Sequence, residues 1–167
     1  MATQRKETNF RAVFDSPLSD YERVFRPLLG GADFRSILTK VRTGDRPLVL
    51  DLMTSGVNLV DLSDMASCLA VGYQRPEAMT VQELAERDVT YIHTDLTEKT
   101  AWRDVDGWLG EQCPGSRFSL AMTRPEGAFY SQFWGFDNYC ELMLLPTLER
   151  LGPGGILFFQ TPFRAYI

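Results

Sequence analysis

The sequence predicts an α/β fold with a doubly wound, mainly parallel β-sheet. Short apolar segments rich in β-branched and aromatic residues alternate along the chain with segments whose apolar residues recur at helical spacing. The first apolar segment, LVLDL at residues 48–52, carries a single polar residue, which is typical of a strand buried on both faces. Strands that alternate with helices in this way are typical of a parallel sheet with right-handed crossovers.

The composition indicates a single globular domain. The chain has 167 residues, of which 44% are hydrophobic and 23% are charged, so it can bury a core of ordinary size. We divide it into an N-terminal arm with helices, residues 1–46, and a core, residues 47–167. The net charge of −5 provides no uniform basic field, so nucleic acid is disfavoured as a partner.

Apolar segment lengths and cysteine usage indicate the compartment. No segment approaches the roughly 18 apolar residues of a membrane helix, and no apolar leader segment follows the polar residues 1–6. Cys68, Cys113 and Cys140 are widely spaced and form neither a metal nor a disulfide pattern. We expect a cytoplasmic protein without a membrane partner, with the cysteines as small buried residues.

Two helices are expected before the sheet. Residues 1–18 are interpreted as a loosely ordered arm. Ser19 and Glu22 have the spacing of a capping box, and apolar residues then follow at helical intervals until Gly30. A second helix is expected over residues 33–41.

The core is predicted to continue as an alternation of strands and helices. Strands are expected at residues 48–52, 68–73, 89–93, 117–122 and 156–160. Helices are expected at residues 57–65, 76–87, 98–109 and 138–151. Pro146 should kink or divide the last helix, and Gly152 to Gly155 should form a tight turn before the last strand.

In a parallel sheet the carboxyl ends of the strands lie at one rim, where ligands bind close to the place at which strand order reverses. Four successive strand ends carry Asp51, residues 73–74 with Gln74, residues 93–95 with Asp95, and Thr123 with Arg124. The sequence therefore predicts a ligand site formed by these residues.

Several of these segments resemble the class I S-adenosylmethionine-dependent methyltransferases, a Rossmann-like family. The resemblance covers residues 47–162. It is carried by LVLDL at 48–52, VGYQRPEAM at 71–79, YIHTDLT at 91–97 and LLPTLERLGPGGIL at 144–157. It implies a methyltransferase fold that here has space for only five strands, since the family usually continues with a helix and two more strands.

The resemblance also implies roles for the rim residues in binding S-adenosylmethionine. Asp51 matches the acid at the start of the family's glycine-rich loop, which here is Thr54, Ser55 and Gly56. The usual glycine positions carry Met53, Ser55 and Val57 instead, so the first motif is degenerate. Some methyltransferase-like branches carry a similar Asp-Leu-Met-Ser-Ser sequence.

The remaining residues expected to contact the cofactor lie at the ends of the second, third and fourth predicted strands. Gln74 replaces the acid that accepts hydrogen bonds from the ribose hydroxyls, and it lacks the charge that strengthens such bonds. Asp95 matches the acid that receives the adenine amino group, with Leu96 beside the ring. Asp95 has an equally good interpretation as a helix cap. Thr123 ends the strand that faces the methyl group in the family.

No acid, base, metal or phosphate site competes with this interpretation. His93 is the only histidine and is expected to be a hydrogen-bonded core residue, so catalytic residues stay unassigned. No grouping of metal-ligating residues, phosphate-binding loop or nucleophile elbow occurs in the sequence. The aromatic residues between Arg124 and Asp137 are expected either to contact a substrate or to pack as a lid or subunit interface.

Two functions remain open from the sequence. The first is methyl transfer from S-adenosylmethionine to a small-molecule substrate. The alternative is a non-catalytic methyltransferase-like binding or assembly module with a decayed cofactor site. The sequence also predicts an apolar edge at residues 156–159, so we expect either a fragment of a longer protein or a homodimer that buries this edge. The residues expected to contribute to the dimer are Phe158, Phe163, Tyr166 and Ile167.

Overall fold

Five strands form one parallel sheet in the order β3-β2-β1-β4-β5. The protein is described by a computed structural model over residues 15–41, 46–76, 79–112, 115–124 and 136–160. The strands are β1 (Leu48–Leu52), β2 (Ser67–Gly72), β3 (Val89–His93), β4 (Phe118–Thr123) and β5 (Leu151–Phe159). Because the chain runs outward from β1 in both directions, strand order reverses beside β1, as in doubly wound Rossmann-like sheets. The predicted fold class is confirmed.

Helices cover both faces of the sheet. They are α1 (Leu18–Leu29), α2 (Phe34–Lys40), a 3₁₀-helix (Val57–Leu62), α3 (Val81–Ala85), α4 (Ala101–Gln112), α5 (Phe136–Tyr139) and α6 (Leu145–Glu149). One core cluster contains α1, α2 and the 3₁₀-helix, and a second contains α4 and the segment that joins α5 to α6. Residues of β1 contribute to both clusters, which explains its almost uniformly apolar sequence.

The capping box predicted at Ser19 and Glu22 is wrong. α1 begins at Leu18, after Pro17, which is two residues earlier than a cap at Ser19 would place it, and it has no side-chain cap. The Glu22 carboxylate accepts a hydrogen bond from the Phe34 amide instead. A capping box does occur at α3, where Thr80 and Glu83 bond each other reciprocally. This cap starts α3 at Val81, so the helix predicted from residue 76 is much shorter than expected.

The segment around the glycines at 152–155 also differs from the prediction. β5 starts at Leu151, which pairs with Phe118, and pairing resumes only at Ile156 with Leu120. The expected tight turn is therefore a bulge inside the strand. Gly154 has φ 76°, and a Cβ on Gly155 would lie 2.9 Å from the carbonyl oxygens of Gly152 and Phe118, so both positions favour glycine.

Pro146 lies in α6, just after a π-helical turn over Cys140–Leu144. The predicted helix is thus divided, and it ends at Glu149 because Leu151 already belongs to the sheet. Proline has no amide proton to donate to the preceding turn, which is consistent with a change of helical register at this place.

β5 occupies an end of the five-stranded sheet, as the sequence predicts for an apolar edge strand. Phe158 does not face this edge, contrary to expectation. It is 7% exposed and packs against Phe25 and Phe34 in the core, whereas the next residue, Phe159, is 42% exposed. Successive strand side chains point to opposite faces, so only one of the two can be buried in this core.

Several predicted features lie outside the described residues. They are residues 1–14 of the arm, Cys113, most of the aromatic segment after Arg124, and Phe163, Tyr166 and Ile167. Of the other cysteines, Cys68 is buried as expected and Cys140 is partly exposed.

Candidate functional site

The parallel register brings the predicted site residues to one rim of the sheet. Leu52, at the end of β1, pairs with Val71 on one side and with Thr123 on the other. Gly72 pairs with His93, so Gln74 and Asp95 each follow a paired strand end by two residues. The rim can therefore be considered in two halves, one beyond β2 and β3 and one at the loop that follows β1.

Asp51 is fully buried at the β1 half of the rim. Its Oδ2 atom accepts a hydrogen bond of 2.7 Å from the side-chain amide of Asn58, which lies in the 3₁₀-helix. Its Oδ1 atom makes no hydrogen bond of normal geometry with the described residues. Burial raises the pKa of Asp51 to about 7, although the nearby polar side chains of Tyr21, Asn58 and Thr54 and the charge of Arg124 act in the opposite direction.

α1 covers this part of the rim with Tyr21, which is 1% exposed. Burial and the neighbouring Asp51 raise the pKa of the Tyr21 hydroxyl well above its ordinary value. The guanidinium of Arg124, just past β4, lies 4.9 Å from the centre of the Tyr21 ring. Sequence reasoning placed Arg124 at the rim but missed Tyr21, because nothing in the helical pattern of α1 shows which strand end it covers.

The loop after β1 is folded back onto the sheet. Its backbone enters the left-handed region at Met53 and at Gly56, with φ values of 62° and 87°. The amides of Met53 and Thr54 donate to the carbonyl of Val71 at 2.7 and 3.4 Å, and the amide of Gly56 donates to Thr54 Oγ1 at 3.2 Å. Thr54 and Ser55 are both buried. Thr54 Oγ1 is hydrogen-bonded to Asn58 and Gly56, whereas Ser55 Oγ has no hydrogen-bond partner among the described residues.

Gln74 lies exposed beyond β2. Its backbone carbonyl accepts a hydrogen bond from the hydroxyl of Tyr91, which holds this stretch of chain against β3. Its side-chain amide makes no hydrogen bond with the described residues. The Gln74 side chain is therefore available to a ligand.

Asp95 is half-buried beyond β3. Its Oδ1 atom accepts hydrogen bonds from the amide and the hydroxyl of Thr97 at 2.9 and 2.7 Å, which closes a local turn. The alternative expectation of a helix cap is wrong, because α4 begins only at Ala101. The Oδ2 atom receives no hydrogen bond from the described part of the chain. Asp95 therefore stabilises its own turn and still has an acceptor to offer.

The other predicted rim residues are more enclosed. Leu96 is 4% exposed and Thr123 is fully buried. His93, expected in the core, is instead exposed, and its ring nitrogen hydrogen-bonds the carbonyl of Tyr73. Its ring stacks at 6.3 Å on that of Tyr73. The core interpretation of His93 is wrong because β3 is the other end strand of the sheet.

A cleft of about 300 Å³ lies at the opposite, amino-terminal ends of β2 and β3. It is lined by Arg46, Ser67, Cys68, Ala85, Asp88, Val89, Thr90, Trp108 and Gln112. The Arg46 guanidinium donates hydrogen bonds to the backbone carbonyls of Ser63 and Ala66. Burial raises the pKa of the Cys68 thiol to about 12, so this cysteine is a poor nucleophile.

The described residues meet the requirements of neither a metal site nor a membrane-spanning helix. Their histidine, cysteine, aspartate and glutamate side chains include no group of three that could hold a metal ion. None of the helices in that part of the chain is long and apolar enough to cross a membrane.

No protein-family model matches the sequence, and no curated protein matches it. Among solved structures, the fold is similar to that of a TehB-like SAM-dependent methyltransferase from Corynebacterium glutamicum. The two are 14% identical, with a TM-score of 0.44, and the match covers 83% of this chain and 69% of the other.

Proposed function

We propose that this chain binds S-adenosylmethionine at the carboxyl rim of its sheet and transfers the methyl group to a small-molecule substrate. The observation that carries the proposal is the pairing of Gly72 with His93, which places Gln74 and Asp95 on adjacent strand ends. Both side chains have an oxygen without a partner among the described residues. Polar acceptors at the carboxyl ends of neighbouring parallel strands are the usual arrangement for a nucleoside ligand.

The residues beyond β2 and β3 fit the adenosine portion of this cofactor. The Gln74 amide oxygen can accept from a ribose hydroxyl, and its amide group can donate to the other. The free Oδ2 atom of Asp95 can accept from an exocyclic amino group. Asp95 is already oriented by its two bonds to Thr97, which reduces the entropy lost when it binds a ligand.

The sulfonium of the bound cofactor supplies an activated methyl group, so the protein needs chiefly to position the acceptor. Direct displacement depends on alignment and proximity more than on an acid or base. The end of β4, at Thr123 and Arg124, lies beside β1 at the switch point, where an acceptor would approach. The absence of an assigned catalytic residue is therefore compatible with the proposed reaction.

The second candidate function is a non-catalytic binding or assembly module. The enclosure of Asp51 favours it, because this carboxyl is fully buried and already bonded to Asn58. The side chains at Met53 and Ser55 also occupy positions at which the family needs glycine for the close approach of a ligand.

Calorimetric titration with S-adenosylmethionine and S-adenosylhomocysteine tests the proposal. Gln74→Ala and Asp95→Ala should each weaken binding by about fivefold to tenfold, because each removes one or two hydrogen bonds. Gln74→Asp should tighten binding by a similar factor, since it restores a charged acceptor. Gln112→Ala and Asp104→Ala are matched controls, since they alter exposed residues away from the rim. The proposal is rejected if neither ligand binds, or if the controls weaken binding as much as the rim variants do.

A further inference from the structure

We infer that the rim holds adenosine nucleosides by base and ribose and leaves the 5′ substituent outside the loop that follows β1. The ligand class is thus 5′-substituted adenosines in general, including those without an amino-acid extension. This inference rests on the ligand site proposed at Gln74 and Asp95. Under this inference, the β1 half of the rim contributes little to the affinity for adenosine nucleosides.

Three backbone amides of the loop after β1 are already hydrogen-bonded inside the protein. A loop that holds the amino-acid portion of a ligand does so with backbone N–H groups that point outward. Here the amides of Met53 and Thr54 donate to Val71, and that of Gly56 donates to Thr54. A ligand that approached these groups would first have to break hydrogen bonds inside the protein, which cancels most of the gain.

Asp51 is the carboxyl of this half of the rim that could attract an ammonium group, and it is enclosed. Asp51 has no exposed surface, its Oδ2 atom is bonded to Asn58, and Tyr21 lies over it. Burial raises the pKa of Asp51 to about 7, so the ionised form is disfavoured inside the fold. An ammonium group would therefore meet a carboxyl that is both inaccessible and incompletely ionised.

Gly56, the one glycine in the loop, is explained by packing against the sheet. A Cβ on Gly56 would lie 2.8 Å from the Cβ of Ala70 and would also contact Leu84 and Val89. The missing side chain therefore allows the loop to pack against the sheet. In a cofactor loop the glycine allows the backbone to approach the ligand instead. Packing accounts fully for Gly56, and no ligand is needed to explain it.

The deciding comparison is between S-adenosylhomocysteine and 5′-methylthioadenosine, which share the thioether and the nucleoside and differ by the amino-acid portion. Titration of the unmodified chain should give dissociation constants within about threefold of each other, with adenosine close to both. Gln74→Ala and Asp95→Ala should weaken all of these ligands by the same factor. Because this comparison uses the unmodified chain, it does not depend on whether a variant folds.

Different results identify which proposal has failed. If S-adenosylhomocysteine binds at least about tenfold tighter than 5′-methylthioadenosine, the inference is overturned while the proposed ligand site stands. Asp51→Asn should leave the ratio of the two affinities unchanged, whereas a collapse of that ratio would assign the amino group to Asp51. If no nucleoside binds, the proposed function fails, and the inference fails with it.

Discussion

The side-chain amide of Asn58 donates a hydrogen bond of 2.7 Å to Oδ2 of Asp51, and both residues are fully buried. This bond joins the end of β1 to the 3₁₀-helix and fixes the carboxyl beneath α1. A neutral amide compensates a buried charge only in part, so ionising Asp51 inside the fold is costly. The pair therefore makes stability depend on pH.

Asp51→Asn should remove this dependence. The folded pKa of about 7 lies above the ordinary value of 3.8, so the stability that the protonated group contributes is fully present below pH 4 and is lost as pH rises towards 7. Relative to the variant, the wild type should lose on the order of a few kcal/mol of unfolding free energy over this window. Urea unfolding of both proteins at several pH values measures this loss of unfolding free energy. Asp104→Asn, which changes an exposed aspartate, is the control, and parallel curves for Asp51→Asn and the wild type would contradict the prediction.

Gly56→Ala should be strongly destabilising. The new Cβ would lie 2.8 Å from Ala70, and the backbone at φ 87° disfavours any side chain, so we expect a loss of about 3 kcal/mol. Gly30→Ala is the matched control, because Gly30 also has positive φ, at 58°, but has open space around the Cβ position. It should cost about 1 kcal/mol. Chemical denaturation compares the two, and equal losses would show that packing against Ala70 does not matter.

Met53→Gly should lower the free energy of unfolding by less than Met65→Gly does. Both methionines are half-buried beside the core, so each variant loses similar packing. Only Met53 is held in the left-handed region, at φ 62°, and glycine relieves about 1 kcal/mol of strain there. Thermal and urea unfolding of the two variants should differ by about that amount. A larger loss of stability for Met53→Gly than for Met65→Gly would show that Met53 is not strained.

A homodimer through the β5 edge remains our proposal for the assembly of this chain. Phe159 is 42% exposed beside the edge, so Phe159→Lys should weaken self-association. Leu148→Lys places the same charge at a residue that is 50% exposed on α6, and it serves as the control. Light scattering at tens of micromolar measures the assembly, and a monomeric wild type would rule out the dimer.

Local pattern was sufficient to predict most of the fold. The apolar LVLDL segment predicted β1, and the alternation of elements predicted a parallel sheet whose strand ends share one rim. The bulge in β5 was missed because Gly-Pro-Gly-Gly has the chemistry of a turn, and only pairing with β4 extends the strand across it. The α3 prediction failed for a local reason, since the cap at Thr80 outweighed Pro76 as a start signal.

The candidate site was less predictable than the fold. Its members follow from the geometry of parallel strands, so their positions at the rim could be predicted. The enclosure of Asp51 could not, because it depends on how α1 packs, and Tyr21 lies thirty residues before Asp51 in the sequence. Tertiary contacts of this kind leave no trace in local spacing.

The rings of Phe25 in α1 and Phe34 in α2 lie 5.4 and 5.2 Å from that of Phe158 in β5. During synthesis, the two helices emerge well before the strand that completes their aromatic core. Until β5 joins the sheet, Phe25 and Phe34 can contact each other but lack the Phe158 ring, so part of their apolar surface stays exposed to water. Contacts between such distant parts of the chain also slow folding, since a long loop must close first. The aromatic contacts of α1 and α2 with β5 therefore form only after the other four strands have been synthesised.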